Sequence, residues 1–70
     1  MTEQNALIAD DLLRGAEQIA QYLFNDPKLR RKVYHLVATS RLPHFRIGSM
    51  IYARKTTLSK WIEEQENRFF

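Results

Sequence analysis

Apolar residues near the start of the chain recur at helical spacing. Such a stripe predicts a short amphipathic helix; its members are Ala16, Ile19, Ala20, Leu23 and Phe24. Gly15 is an acceptable N-cap for this helix, and Gln18 stands three residues later, where a capping box has Glu or Gln. Leu12 and Leu13 precede the helix, and we expect both to anchor it in the core.

The run Asn25-Asp26-Pro27 predicts the end of one helix and the start of the next. Proline is tolerated at the first helical position because its missing N–H would be unpaired there, and Asp26 is a favourable N-cap. The second helix is predicted to extend to about Thr39. Its apolar residues share one face, which we expect to be buried: Leu29, Val33, Leu36 and Val37.

Two short β-rich runs follow Leu42-Pro43, which ends the second helix. They cover residues 44–47 and 50–54 and flank Gly48-Ser49, so they predict a β-hairpin. Glycine at the first position of a two-residue loop suits a type II′ turn. Because an isolated hairpin is only marginally stable, we expect this one to pack on the helices.

A third helix is predicted from Thr56 or Thr57, either of which would serve as its N-cap. One face of this helix carries Leu58, Trp61, Ile62 and Gln65. An aromatic side chain buries roughly 150–250 Å², so Trp61 is expected to be the largest core residue rather than a platform for stacking bases. The outer face is acidic through Glu63, Glu64 and Glu66.

Length and composition indicate one domain. A chain of 70 residues with 44% hydrophobic and 27% charged residues has globular proportions and no room for a second core. We expect a flexible segment over residues 1–11, a domain over 12–67 and a tail over 68–70. The absence of cysteine excludes disulfides and thiolate metal sites and favours the cytoplasm. No apolar run is long enough to span a membrane, so no membrane partner is expected.

Charge is distributed very unevenly along the chain. Residues 27–55 contain eight Lys and Arg residues and no Asp or Glu, whereas acidic residues predominate on both sides of this segment. Such a local positive field favours a polyanionic partner, nucleic acid first and an acidic membrane surface a distant second. The plainer alternative is a solvated basic face without a partner.

The predicted second helix concentrates much of this charge on one side. At about 100° per residue, the side opposite the apolar stripe is centred on Arg31 and His35. Lys28, Lys32 and Thr39 flank them. The sequence therefore predicts a basic helix face directed to solvent.

The order helix, basic helix, hairpin, helix is that of a winged helix-turn-helix, mainly α with a small β-hairpin. Residues 15–64 resemble the excisionase-like branch of the MerR-type winged-helix DNA-binding proteins. The resemblance is carried by four runs: Ile19-Ala20-Gln21-Tyr22-Leu23, Lys32-Val33-Tyr34-His35-Leu36-Val37, Leu42-Pro43-x-Phe45-Arg46-Ile47-Gly48 and Leu58-x-x-Trp61-Ile62. The chain departs from the family pattern at Gly15, Lys32 and Ser40 and in a longer connection between the first two helices.

The resemblance implies which residues contact DNA. The second helix is similar to the family's recognition helix, whose candidate contacts here are Lys28, Arg30, Arg31, Lys32, Tyr34 and His35. Among these, Arg30 is nearer the core and better suited to a phosphate contact or a structural role. The hairpin is similar to the wing, whose candidate contacts are Arg46, Ser49, Arg54 and Lys55.

We therefore expect a small sequence-specific binder of double-stranded DNA. It would be an excisionase (recombination directionality factor), or a compact transcriptional regulator, in the cytoplasm at the nucleoid. The resemblance implies an integrase or RNA polymerase as a further partner. It also implies that several copies associate on DNA, and the end residues Phe69 and Phe70 are candidates for that contact. The alternative is a protein-interaction module whose basic face binds an acidic protein. No nucleophile–base pair, metal cluster or phosphate-binding glycine loop is present, so we expect no enzyme, no cofactor, no metal and no small-molecule ligand.

Overall fold

The computed structural model describes residues 8–69, with the side chain of Phe69 excepted. A helical turn over residues 8–11 leads into the first strand. The elements that follow are β1 (Leu12–Arg14), α1 (Gly15–Phe24), a 3₁₀ turn (Pro27–Leu29), α2 (Arg30–Ser40), β2 (Phe45–Ile47), β3 (Met50–Arg54) and α3 (Lys55–Phe69). The described chain is thus mostly helical with a small antiparallel sheet.

The sheet has three strands rather than the two of the predicted hairpin. Its order is β1-β3-β2, and both pairings are antiparallel. The hairpin itself is confirmed, with Ile47 opposite Met50 across the Gly48-Ser49 turn. The additional strand pairs Leu13 with Ala53. Three residues are too few to show the alternation that indicates a strand, so the sequence suggested only that Leu12 and Leu13 were anchors.

Nine buried apolar residues form a single core that joins all three helices to the sheet. They are Leu13, Ala16, Ile19, Ala20, Val33, Leu42, Ile51, Ala53 and Leu58. The predicted stripes of α1 and α2 are therefore directed inward. Among the described side chains of α3 only Leu58 is fully buried, while Trp61 is partly buried and packs against the core. The expectation that Trp61 is the largest core residue is wrong, and Ile62 is 38% exposed.

The first two helices begin at different kinds of cap. Arg14, not Gly15, is the N-cap of α1, and its backbone N–H donates to Gln18 Oε1 over 2.8 Å. Gly15 opens the helix at φ +83°, a backbone conformation that side chains disfavour. Asp26 caps the next segment as predicted, accepting from the Lys28 backbone N–H over 2.9 Å, with Pro27 in the first position. That segment starts as the 3₁₀ turn, and the α-helix proper begins at Arg30.

The N-terminus of α3 is capped by a residue far away in sequence. Asp11 Oδ1 accepts from the Thr56 backbone N–H over 2.9 Å, and Oδ2 accepts from the Thr56 hydroxyl over 2.7 Å. The same Oδ2 accepts from Arg54 Nε over 3.0 Å. The expectation that Thr56 or Thr57 caps the helix is wrong, because α3 begins at Lys55 and the capping carboxylate comes from the turn before β1.

The predicted domain boundaries shift at both ends. Residues 8–11 are a helical turn with Asp11 hydrogen-bonded to two distant residues, so the predicted flexible segment does not extend over them. Residues 1–7 lie outside the described residues. At the other end α3 continues to Phe69 instead of ending before a tail at 68. The predicted role of Phe69 and Phe70 in self-association depends on side chains that lie outside the described part of the chain. None of the described helices combines the length and hydropathy that crossing a bilayer requires.

Replacing Asp11 by Asn tests the long-range cap. Chiefly the hydrogen bond from the Thr56 hydroxyl lowers the pKa of Asp11 below its ordinary value of 3.8. A depressed pKa adds stability that is present above the ordinary pKa and is lost as the pH falls through the folded value. Asp11→Asn is therefore expected to lower Tm at pH 7 and to flatten the loss of Tm below about pH 4.

Asp10→Asn is the matched control, since it removes the same charge from an exposed neighbour. Thermal melts from pH 3 to 7 give the comparison. Equal Tm profiles for the two variants would show that Asp11 does not stabilise the start of α3.

Leu58 and Ile62, one helical turn apart on α3, are expected to differ sharply in their contribution to stability. Leu58 is fully buried, so Leu58→Ala should cost about 2–5 kcal/mol of the free energy of unfolding. Ile62→Ala, at a position that is 38% exposed, should cost less, about 1 kcal/mol or below. Urea denaturation measures both values. A large loss for Ile62→Ala would show that this face of α3 is packed rather than open.

Candidate nucleic-acid interface

The side of α2 opposite its buried stripe is cationic and open to solvent. Val33 is fully buried on the core side of α2, whereas Arg31, Lys32 and His35 are exposed on its other side. Lys28, in the preceding turn, is also exposed. Within residues 8–69 only two ion pairs form, Arg30–Glu17 and Arg54–Asp11, and neither involves these residues. We call Lys28, Arg31, Lys32 and His35 the basic face of α2.

Packing between the first two helices fixes the orientation of the basic face. Asn25 ends α1 in a left-handed conformation at φ 56°, and its backbone N–H donates to the Gln21 carbonyl. The chain then turns through Asp26 into the 3₁₀ turn. Lys32 Nζ lies 5.4 Å from the centroid of the Phe24 ring, a cation–π contact between the two helices that leaves the ammonium group exposed. The two helices thus pack against each other with these cations on the outside.

Arg30 differs from the other cations of this segment. Its Nη1 lies 2.9 Å from Glu17 Oε2, a pair that joins α2 to α1. Both side chains are largely exposed, 58% for Arg30 and 63% for Glu17, so the pair contributes little to stability. The contact pairs the Arg30 guanidinium with Glu17, so Arg30 is not assigned to the basic face.

Tyr34 links α2 to the hairpin. Its side chain is exposed, and with Met50 of β3 it lines a surface cleft of about 470 Å³. Arg14 and Arg30 line the same cleft. The cleft therefore places the hairpin beside the Tyr34 edge of α2, and the residues of the basic face do not line it.

The hairpin presents one free cation near its tip. Arg46 and Ser49 are both exposed, and Arg46 Nη1 donates to the Ser49 carbonyl over 3.4 Å. Gly48 has φ +64°, while Ser49 has no positive φ. This combination fits the predicted type II′ turn and excludes type I′, in which both loop residues have positive φ.

Arg54 and Lys55, which were expected on the wing, lie at its base instead. Arg54 is ion-paired with Asp11 and supports the start of α3. Lys55 is the first residue of α3 and only partly exposed, and its carbonyl accepts a hydrogen bond from the Tyr22 hydroxyl over 3.4 Å. The predicted second run ends at Arg54, as β3 does, but the sequence pattern does not show that Arg54 pairs with a carboxylate 43 residues away. Of the four predicted wing residues, the structure brings only Arg46 and Ser49 to the tip.

An apolar surface on the hairpin was missed in the sequence. Phe45 and Ile47 of β2 lie opposite Tyr52 and Met50 of β3, so all four share one face of the sheet. Ile51 is buried on the other face, which places these four away from the core. The Phe45 and Tyr52 rings are stacked with centroids 5.8 Å apart. Side chains alternate between the two faces of a strand, so Met50 and Tyr52 must lie on the face opposite Ile51. This alternation along β3 is the sequence signal that indicates the apolar face.

No family model, curated protein or solved structure matches this chain. The resemblance to the excisionase-like proteins therefore depends on the residue runs that carry it. The protein itself is mostly helical over the described residues, with a three-stranded antiparallel sheet.

Removing charge from the basic face is expected to leave the protein as stable as before or more stable. Lys28 and Arg31 are exposed and form no ion pair within residues 8–69, and like charges in this segment repel one another. The double variant Lys28→Gln/Arg31→Gln should therefore melt at or above the Tm of the unaltered protein in low salt. The difference should shrink at high salt because salt screens the repulsion. A marked fall in Tm would mean that these cations stabilise the fold.

Proposed function

We propose that this protein binds double-stranded DNA as a winged helix-turn-helix, with α2 in the major groove and the β2–β3 hairpin as the wing. The observation that carries the proposal is the basic face of α2. Its cations stand on the solvent side of the helix, and the two carboxylates that reach this part of the chain pair with Arg30 and Arg54 instead. Unneutralised cations on a rigid helix are suited to a polyanion.

The dimensions of the two partners agree with this arrangement. The major groove of B-DNA is about 12 Å wide and accepts one α-helix. Arg31 lies at the centre of the solvent side, where a guanidinium forms bidentate hydrogen bonds with guanine. Lys28 and Lys32 flank it and suit the phosphates on either side, since phosphate contacts need only charge and donors.

The hairpin lies beside the Tyr34 edge of α2. Tyr34 and Met50 connect it to α2, and Arg46 and the Ser49 hydroxyl supply a cation and a donor near its tip. These groups suit the backbone of the adjacent minor groove. We do not propose DNA contacts for Arg54 and Lys55. The Arg54 side chain is ion-paired with Asp11, and the Lys55 carbonyl accepts a hydrogen bond from the Tyr22 hydroxyl.

A recombination directionality factor and a compact transcriptional regulator would use the same DNA contacts. The resemblance to excisionases favours the first, with an integrase as the further partner. A regulator would act with RNA polymerase instead. The contacts of α2 and the wing are common to both, so the experiments on DNA are the same.

Arg31→Ala is expected to weaken binding to the preferred site by about 1–3 kcal/mol and to relax base preference at one position. The site is first obtained by selecting duplexes from a randomised pool with the unaltered protein. Fluorescence anisotropy then compares affinities for that site and for a random duplex.

Arg46→Ala should instead weaken binding to both duplexes and lower the salt slope by about 1.

Lys60→Ala is the matched control, because it removes one exposed cation from α3, outside the proposed interface. It should change affinity far less than Arg31→Ala. Equal losses for Lys60→Ala and Arg31→Ala would contradict the placement of α2 in the groove. A pool that shows no enrichment and no low-salt binding would contradict DNA binding altogether and favour an acidic protein partner.

A further inference from the structure

The tip of the hairpin is apolar. Ile47 is 57% exposed, the highest fraction among the large exposed apolar side chains of the described residues, and Met50 is 40% exposed. These two residues face each other directly across the Gly48-Ser49 turn. The strand ends at the tip of the proposed wing therefore carry an exposed apolar pair beside Arg46, and the Met50 sulfur lies close to Gly15 at the start of α1.

The region around the apex is open. A Cβ atom built on Gly48 would meet no heavy atom within 4 Å. β2 is an edge strand, since the strand order is β1-β3-β2, so nothing in the sheet lies beyond Ile47 on that side. The turn is nevertheless held in register by the pairing of β2 with β3. Ile47 thus lies at the end of an edge strand whose position is fixed by its pairing with β3.

Polar groups flank the aliphatic pair without covering it. Arg46 lies opposite Ile51 and so belongs to the other face of the hairpin, and its guanidinium bonds the Ser49 carbonyl. Ile47 and Met50 share the face that continues through Tyr34 to α2.

We propose that Ile47, supported by Met50, inserts between adjacent base pairs in the minor groove and unstacks them. This proposal rests on the DNA-binding function proposed above. Proteins that bind the minor groove use apolar wedges, Ile and Met among them, to separate a base step and kink the duplex. The groove is about 6 Å wide, so a single aliphatic side chain at a hairpin apex enters it more readily than the whole two-stranded ribbon. Pyrimidine–purine steps unstack most easily and are the expected insertion points.

The test uses the duplex selected by the unaltered protein, with 2-aminopurine placed at successive positions beside the contacted region. Unstacking raises 2-aminopurine fluorescence, and a pair of end labels reports the kink by energy transfer. The unaltered protein should raise fluorescence at one step and shorten the end-to-end distance by a kink of roughly 20–90°. Ile47→Ser should abolish both signals at protein concentrations that saturate the duplex in anisotropy, and Ile47→Leu should retain them.

Ile62→Ser is the matched control, because it makes the same change at an exposed isoleucine on α3 and should keep both signals. Ile47 is exposed, so the variant is expected to fold, and its Tm verifies this. Saturating binding by the unaltered protein with no fluorescence rise overturns the wedge and leaves DNA binding intact. Retention of both signals by Ile47→Ser also overturns it. Failure of the unaltered protein to bind any duplex overturns the proposed function and the wedge together.

Discussion

Burial of one side of α2 is the constraint on which the rest of the arrangement depends. Val33 is fully buried, and Leu29, Leu36 and Val37 are packed against the core beside it. Charged side chains are almost never buried without a partner, so the cations of the same helix must lie on the opposite side. Residues 27–55 contain no carboxylate that would neutralise them locally. A small apolar stripe thereby creates a concentrated positive surface.

The acidic residues that precede this segment neutralise it only in part. Glu17 reaches Arg30, and Asp11 reaches Arg54, and both pairs lie at the edges of the basic surface. Asp11 also caps α3 through Thr56, so one carboxylate joins the turn before β1 to the sheet and the last helix. The two ion pairs therefore link separate elements, while the cations at the centre of the solvent side of α2 have no carboxylate partner within residues 8–69. Retaining mutual repulsion at exposed positions is a cost that proteins commonly accept at functional surfaces.

The features predicted from the sequence are those set by neighbouring residues. The stripes of α1 and α2, the Asp26-Pro27 start and the Gly48-Ser49 turn all depend on residues within a few positions, and the structure contains them. β1 and the Asp11 cap depend on partners about forty residues away, and no local pattern indicates such contacts. The position of Trp61 was misjudged for a related reason. Helical spacing assigns a residue to a face, but whether that face is covered depends on where the other elements end.

The candidate interface divides in the same way. Exposure of Lys28, Arg31, Lys32 and His35 followed from helical periodicity. The pairing of Arg30 and Arg54 with distant carboxylates, and the apolar tip of the hairpin, required the tertiary structure. These differences sharpen the proposed interface, because they remove Arg54 and Lys55 from the wing and place Ile47 and Met50 at its apex.

The proposed binding depends on phosphate contacts by Lys28, Lys32 and Arg46, which form no ion pair within residues 8–69. The most direct test is the salt dependence of affinity for a random-sequence duplex, measured by fluorescence anisotropy with the unaltered protein. Each neutralised phosphate contributes about −0.9 to the slope of log affinity against log salt. Phosphate contacts from Lys28, Lys32 and Arg46 therefore predict a slope of roughly −2.7, and Arg31 adds about one more where it meets phosphate instead of guanine on a random duplex. A slope near zero, or no binding in low salt, would contradict the claim.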